Sequence, residues 1–275
     1  MDGTLNLAER RATSERLTRY PANPKYGTGT YRRRICFTAS PGRMTVSLFD
    51  DFHEMVVEIS HDGLQVTAID AEMRRFPKTT CQGAIALLQG FVGCAIADGR
   101  YAIAGKFNRG PHCTHLIDLT TWGISALQRG VEDQWIEIAM TDPDPDGRQL
   151  LDLSVNDETA LSLSILHECL ELPAQHAGQS LFGGFTRWAD ENFSGFERDL
   201  WHMAQMAAFV SHGRAYVVDG PVPFASADEP SRKGACYSYS DPAYQTALDV
   251  VGYVRDHTGG LPPRDRASER IRRPG

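Results

Sequence analysis

The feature that most constrains the fold is a single change of hydrophobic period near residue 81. Upstream of it, residues 31–38, 44–49 and 54–60 read as strands, the last a mixed apolar and acidic alternation. His61-Asp62-Gly63 then turns the chain, Asp-Gly being a hairpin signal, and Leu64, Val66, Ala68 and Ile69 start a return strand that runs to Met73. From Cys81 the spacing becomes three and four. Ala84, Ile85, Leu87, Leu88, Phe91, Val92 and Ala95 predict an amphipathic helix that begins after Thr79 and Thr80 and closes at Gly99. A loop with Gly105, Gly110 and Pro111 leads to a second predicted helix over 114–128, with Leu116, Ile117, Leu119, Trp122, Ile124 and Leu127 as its apolar members. An antiparallel meander with two helices packed on it is an α+β arrangement.

The C-terminal half adds further strands and helices. Residues 135–141 and 149–155 read as strands around the turn Asp142-Pro143-Asp144-Pro145-Asp146-Gly147, and 160–172 as another alternating run. A helical region is predicted over 185–210, where Trp188, Trp201, Met203, Met206 and Phe209 form ordinary core or wall an apolar pocket. A loop over 221–233 precedes a last predicted helix at 241–257, capped by Asp241-Pro242. The expected organisation is an arm at 1–30, a core at 31–130, packed additions at 131–260 and a mobile, arginine- and proline-rich tail at 261–275.

Composition narrows the function classes. The 275 residues are 41% hydrophobic and 23% charged, which is ordinary for a globular chain. A net charge of −7 offers no general attraction to nucleic acid or anionic membrane. Basic residues are scattered, apart from Arg32-Arg33-Arg34 and the C-terminal tail. The run at 32–34 reads as a solvated strand edge or as an anion site. No stretch approaches the roughly 18–20 apolar residues of a membrane span, and residues 1–7 lack the basic-then-apolar pattern of a secretory signal. The expectation is a cytoplasmic protein, possible as a homo-oligomer, that acts on a small molecule and uses neither nucleic acid nor membrane. Its cysteines at 36, 81, 94, 113, 169 and 236 are then expected as thiols.

Two of these cysteines have a reason to be reactive. Cys81 and Cys113 each stand where a loop becomes a predicted helix, and the unpaired N–H groups at a helix start stabilise a thiolate. Cys94 falls inside the first predicted helix and reads as core packing. His112 and His115 flank Cys113, and His53 follows Asp50-Asp51-Phe52 at the mouth of a strand. Imidazole and thiolate donors together suit zinc and also iron. His53, Cys81 and Cys113, with either His112 or His115, are therefore the candidate metal ligands, with Cys236 in Gly-Ala-Cys-Tyr as a further candidate. Asp51 is the expected general base, or a partner held behind the ligands.

Two resemblances bear on this cluster. Over residues 50–128, Cys81-Gln82-Gly83-Ala84-Ile85-Ala86 and His112-Cys113-Thr114 resemble the motifs of the NifU/IscU/SufE-like iron–sulfur scaffold fold. That fold implies loops converging at one end of a sheet to hold zinc or a nascent cluster. The chain departs from it at Asp51-Phe52-His53, where the scaffold has Cys-Gly-Asp; the missing cysteine fits a mononuclear His/Cys site better than a cluster scaffold. Over most of the chain, Tyr31-Arg32-Arg33-Arg34-Ile35, Asp50-Asp51-Phe52-His53, Cys113-Thr114-His115-Leu116, Phe209-Val210-Ser211-His212-Gly213-Arg214 and Gly234-Ala235-Cys236-Tyr237 resemble a bacterial domain-of-unknown-function family, number 2889. This family implies His115 in the site, whereas the scaffold implies His112; with His115 taken as the fourth ligand beside His53, Cys81 and Cys113, His112 is left as the expected proton-transfer residue.

The expected activity is that of a metal-dependent enzyme, of hydrolase, lyase or isomerase type, with Zn2+ or alternatively Fe2+ open to substrate. An iron–sulfur or sulfur-relay protein, and a structural zinc protein acting through a partner, are the alternatives.

Overall fold

The computed structural model describes residues 19–107, 110–265 and 269–272; most of the expected N-terminal arm lies outside them. The architecture is mixed α/β. Eight strands, β1 (Thr30–Ser40), β2 (Arg43–Asp50), β3 (Glu54–His61), β4 (Val66–Arg75), β5 (Asp133–Thr141), β6 (Arg148–Val155), β7 (Glu158–Leu166) and β8 (Cys169–Leu172), form an antiparallel sheet in the order β4-β3-β2-β1-β5-β6-β7-β8. Among the described residues the α-helices are α1 (Gly99–Ala104), α2 (Thr114–Gln128), α3 (Phe185–Asn192) and α4 (Gly195–Ser211). None is long and apolar enough to cross a membrane. The chain divides into two interleaved units, one of 34–135, 219–255 and 262–275, the other of 1–33, 136–218 and 256–261.

The unit built on 34–135 holds the expected meander. The register pairs Met44 with Ile59, Val46 with Val57 and Leu48 with Met55, so one face of β2 and β3 is continuously apolar. Helix α2 lies on that face, burying Leu116, Ile117, Leu119, Trp122 and Ile124. The approach is close at Gly123, where a Cβ would stand 2.6 Å from Ile59 and 2.8 Å from Val46, so only glycine admits the helix there. Apolar area removed from water supplies most of the stabilisation, at about 25 cal/mol per Å2.

The segment after Cys81 differs from the expected α-helix. It winds as a 3-10 helix over Cys81–Phe91 and then stops. The reason is competing backbone pairing. Gly93 N–H donates to Val66 O at 2.8 Å, Val66 N–H to Cys94 O at 3.0 Å and Ile96 N–H to Leu64 O at 2.8 Å. Residues 93–96 thus bond to the start of β4, and Cys94 lies on this stretch, not inside a helix.

The last predicted helix, 241–257, is also absent, for the same kind of reason. Thr79 N–H bonds to Leu248 O at 2.9 Å, Val250 N–H to Pro77 O at 3.0 Å and Asp249 N–H to Phe224 O at 3.0 Å, so these groups are not used in i−4 bonds. Buried Lys78 fastens the segment further, with its ammonium 2.6 Å from Asp249 and 3.3 Å from Glu229. Tyr239 donates its hydroxyl to the same Glu229 at 3.1 Å. Of the tail expected to be mobile, Arg264 is described and pairs with Asp133 and Glu269, each at 2.8 Å.

The other unit carries β6 to β8 with α3 and α4. The alternating run expected at 160–172 is two strands, because His167 and Glu168 both take left-handed φ (48° and 68°) and form a two-residue hairpin turn. The helical region expected at 185–210 breaks at Phe193 and Ser194 into α3 and α4. Arg214, from the Ser-His-Gly-Arg segment, pairs with Asp142 at 2.8 Å, and Asp142 also accepts the Gly29 amide at 2.9 Å. The arginine run at 32–34 does not lie on a strand edge. β1 has neighbours on both sides, and alternation buries Arg33 completely beside Tyr31 and Ile35.

Candidate functional site

The site is built from the turn between β2 and β3. Asp50 ends β2 and folds its carboxylate back over the turn. Its Oδ1 accepts the amide N–H groups of Phe52 and His53, both at 2.7 Å. The same oxygen stands 3.1 Å from Nδ1 of His53, with Oδ2 at 3.3 Å. Asp50 is fully buried and His53 is nearly so. A carboxylate at Nδ1 favours the ring tautomer that carries its proton on that nitrogen. The turn is closed by the Asp50 N–H, which donates to His53 O at 2.9 Å.

His115 completes the central pair. It is the second residue of α2, and its ring lies 4.1 Å from that of His53, centroid to centroid, with the planes tilted by 33°. His112 is placed differently. Its ring meets Phe107 edge to face at 5.7 Å, and burial lowers its basicity below that of an ordinary histidine. Its carbonyl accepts the Tyr237 N–H at 2.9 Å.

That last bond brings Cys236 to the starts of two helices. Ser238 accepts a hydrogen bond from Thr80 at 2.9 Å and touches the Cys81 sulfur at 3.4 Å. Gly83 gives room to the ring of Tyr237: a Cβ there would collide with the phenol oxygen. Cys81, Cys113 and Cys236 consequently feel one another. Burial, then the neighbouring Cys236, pushes the Cys81 thiol up to about 11. Burial raises Cys113 as well, followed by Cys81 and Cys236, while the Leu116 and His115 amides act the other way. Cys236 is raised by burial and eased by Arg232. The expected pair of low-pKa thiolates is thus corrected: helix-start amides are present, but burial outweighs them.

Asp51 is fully buried, and its carbonyl accepts the Arg255 N–H and an Arg75 N–H, each at 2.8 Å. The carboxylate on His53 is that of Asp50. The Asp-x-x-His spacing, an aspartate able to cap the amide three residues on, is the sequence signal for it. Among the described residues, no three His, Cys, Asp or Glu side chains converge at the spacing that holds a metal ion. The donor types suit zinc or iron, and the two imidazoles already face each other; their coordination would require these side chains to draw together.

Residues 40–126 match a family described as "Protein of unknown function (DUF2889)". The matched stretch is under half the chain and contains Asp51, His53, Cys81, His112, Cys113 and His115, as well as Asp50. No curated protein matches the chain.

Proposed function

We propose that this cluster is the site of a metal-dependent enzyme acting on a small organic substrate, with Zn2+ or Fe2+ held by His53, Cys81, Cys113 and His115. The single observation that carries the reading is the facing pair of His53 and His115 with Asp50 behind His53. A histidine backed by a carboxylate at one nitrogen is oriented to donate the other to a metal. A bound divalent ion supplies a Lewis acid for hydrolase, lyase or isomerase chemistry and converts nearby thiols to thiolates. The chain's own residues do the rest. Asp50 holds the proton on Nδ1 of His53. His112, neutral at pH 7 because burial lowers its basicity, accepts a proton at its ring nitrogen. Asp51 is held against the same turn.

Anaerobic titration of the full chain with Co2+ tests the reading. One ion per chain, with thiolate-to-cobalt absorption weakened in Cys81→Ser and affinity lost in His53→Ala, is expected. Absence of binding by Co2+, Zn2+ and Fe2+ alike would overturn it. The spacing of the donors favours a second reading, in which the Asp50–His53 dyad is a metal-independent general base. Activity that survives chelation but not Asp50→Asn would identify that case.

A further inference from the structure

The turn that carries Asp50 and His53 is held from outside itself. Arg75, the last residue of β4, is buried and sends its guanidinium into the turn. Nη1 donates to Asp51 O at 2.8 Å; Nη2 donates to His53 O at 3.0 Å and to Asp50 O. Three of the four residues of the turn thus place their carbonyls on one side chain. The strand register brings this about. Glu54, the first residue after the turn, is opposite Arg75, and the pairing slips by one residue between Glu54 and Met55. Such irregularities re-aim a side chain at the end of a ladder. The ring of Phe49, 5.2 Å from the guanidinium carbon, lies beneath it.

Only arginine fits this arrangement. A planar fork with several N–H donors reaches diverging acceptors at once, whereas a lysine offers one ammonium nitrogen at the end of a flexible stem. The charge is also suited to the place. Burial works against it, but Asp50, Glu54 and Asp51 sustain it. Removing the guanidinium would leave three buried carbonyls with a lost partner, and the turn would relax.

We propose that Arg75 is the positioning residue of the site: by gripping the carbonyls of Asp50, Asp51 and His53 it fixes the Asp50 carboxylate on Nδ1 of His53 and thereby aims Nε2. Arg75 touches no reacting atom and acts through His53. The proposal rests on the reading of the 50–53 turn as part of the site, and its test is separable from that reading.

The test is long-range proton–nitrogen NMR of the histidine rings, on the metal-free full chain and on Arg75→Lys. In the parent protein His53 is expected as a single Nδ1–H tautomer with a slowly exchanging ring proton. In folded Arg75→Lys it is expected as a mixture of tautomers with fast exchange, and Co2+ affinity is expected to fall by about 10- to 100-fold, the usual effect of removing support behind a ligand. A purely structural role would lower the melting temperature and leave the tautomer unchanged. A folded Arg75→Lys that keeps the single slow tautomer overturns the inference. The tautomer needs neither metal nor substrate, so failure of Co2+ binding in the parent protein sinks the metal reading alone. If Arg75→Lys does not fold, the parent protein decides: separate, slowly rotating Nη signals for Arg75 support the grip, and averaged signals overturn it.

Discussion

His53 and His176 are both enclosed by other rings, yet their surroundings differ in kind. His53 has one imidazole neighbour and a buried carboxylate on its Nδ1. His176, on the 3-10 turn Ala174–His176, meets Trp188, Phe193 and Trp201 edge to face at 5.2, 5.4 and 5.6 Å. Phe193 stacks on Trp201 at 4.8 Å. The aromatic group is stabilised by buried area and by ring geometry, each pair adding about 0.5–1.5 kcal/mol beyond its area. The polar group gains little net energy per hydrogen bond but fixes a proton on one atom. Packing holds one histidine in place; hydrogen bonding sets the tautomer of the other. Only the second arrangement prepares a side chain for chemistry.

Two substitutions separate these roles. The larger effect is expected at Trp201→Ala, which removes a 2%-exposed ring that contacts His176, Trp188 and Phe193. Urea unfolding should show a loss of about 3–5 kcal/mol, with the NMR tautomer of His53 unchanged. A change at His53 would show that the two groups are not independent. Asp50→Asn should cost less, about 2–4 kcal/mol, because the amide oxygen still accepts the backbone N–H groups of Phe52 and His53. It should nevertheless abolish the single Nδ1–H tautomer, since the amide no longer offers His53 a carboxylate. If the tautomer survives Asp50→Asn, the distinction between a packed histidine and an aimed one is lost.

The parts readable in the amino-acid sequence are those governed by local pattern. Met44, Val46 and Leu48 alternate, Asp62-Gly63 turns, and Leu116 to Leu127 recur at helical spacing, so strands β2 to β4 and helix α2 follow from periodicity. Asn156-Asp157 is ordinary hairpin-turn chemistry, but His167-Glu168 adopts the same left-handed pair without the usual residues, so the pattern over 160–172 runs through the β7–β8 turn as if it were strand. The α-helices that periodicity predicts after Cys81 and over 241–257 do not form, because distant backbone partners, Val66 and Leu64 for the first and Pro77 and Thr79 for the second, decide where the hydrogen bonds go. Within the site, residue types and their gathering near two helix starts were legible. The thiol states were not, because burial is set by chain that arrives from far away, around Cys236 and Ser238.

The smallest expected effect tests the thiols against the aromatic group. Cys81 moves from its ordinary value of 9.0 up to about 11 on folding. Below pH 9 the thiol is protonated in folded and unfolded chains alike, and this contribution to stability is fully present. Between pH 9 and about 11 the unfolded chain releases the proton while the folded chain keeps it, so stability falls as pH rises. The loss should approach about 2 kcal/mol at the top of that window. Cys36, raised by burial to about 12, adds a fall of its own, so the informative quantity is the difference between the parent protein and Cys81→Ala. Urea midpoints should converge as pH rises, because the variant lacks this one ionisation. Trp201→Ala should instead run parallel to the parent between pH 9 and about 11, since the rings it disturbs carry no thiol. Parallel curves for Cys81→Ala would mean that the Cys81 thiol is not buried as the fold requires, and would remove the thiols from the contrast between the two histidine environments.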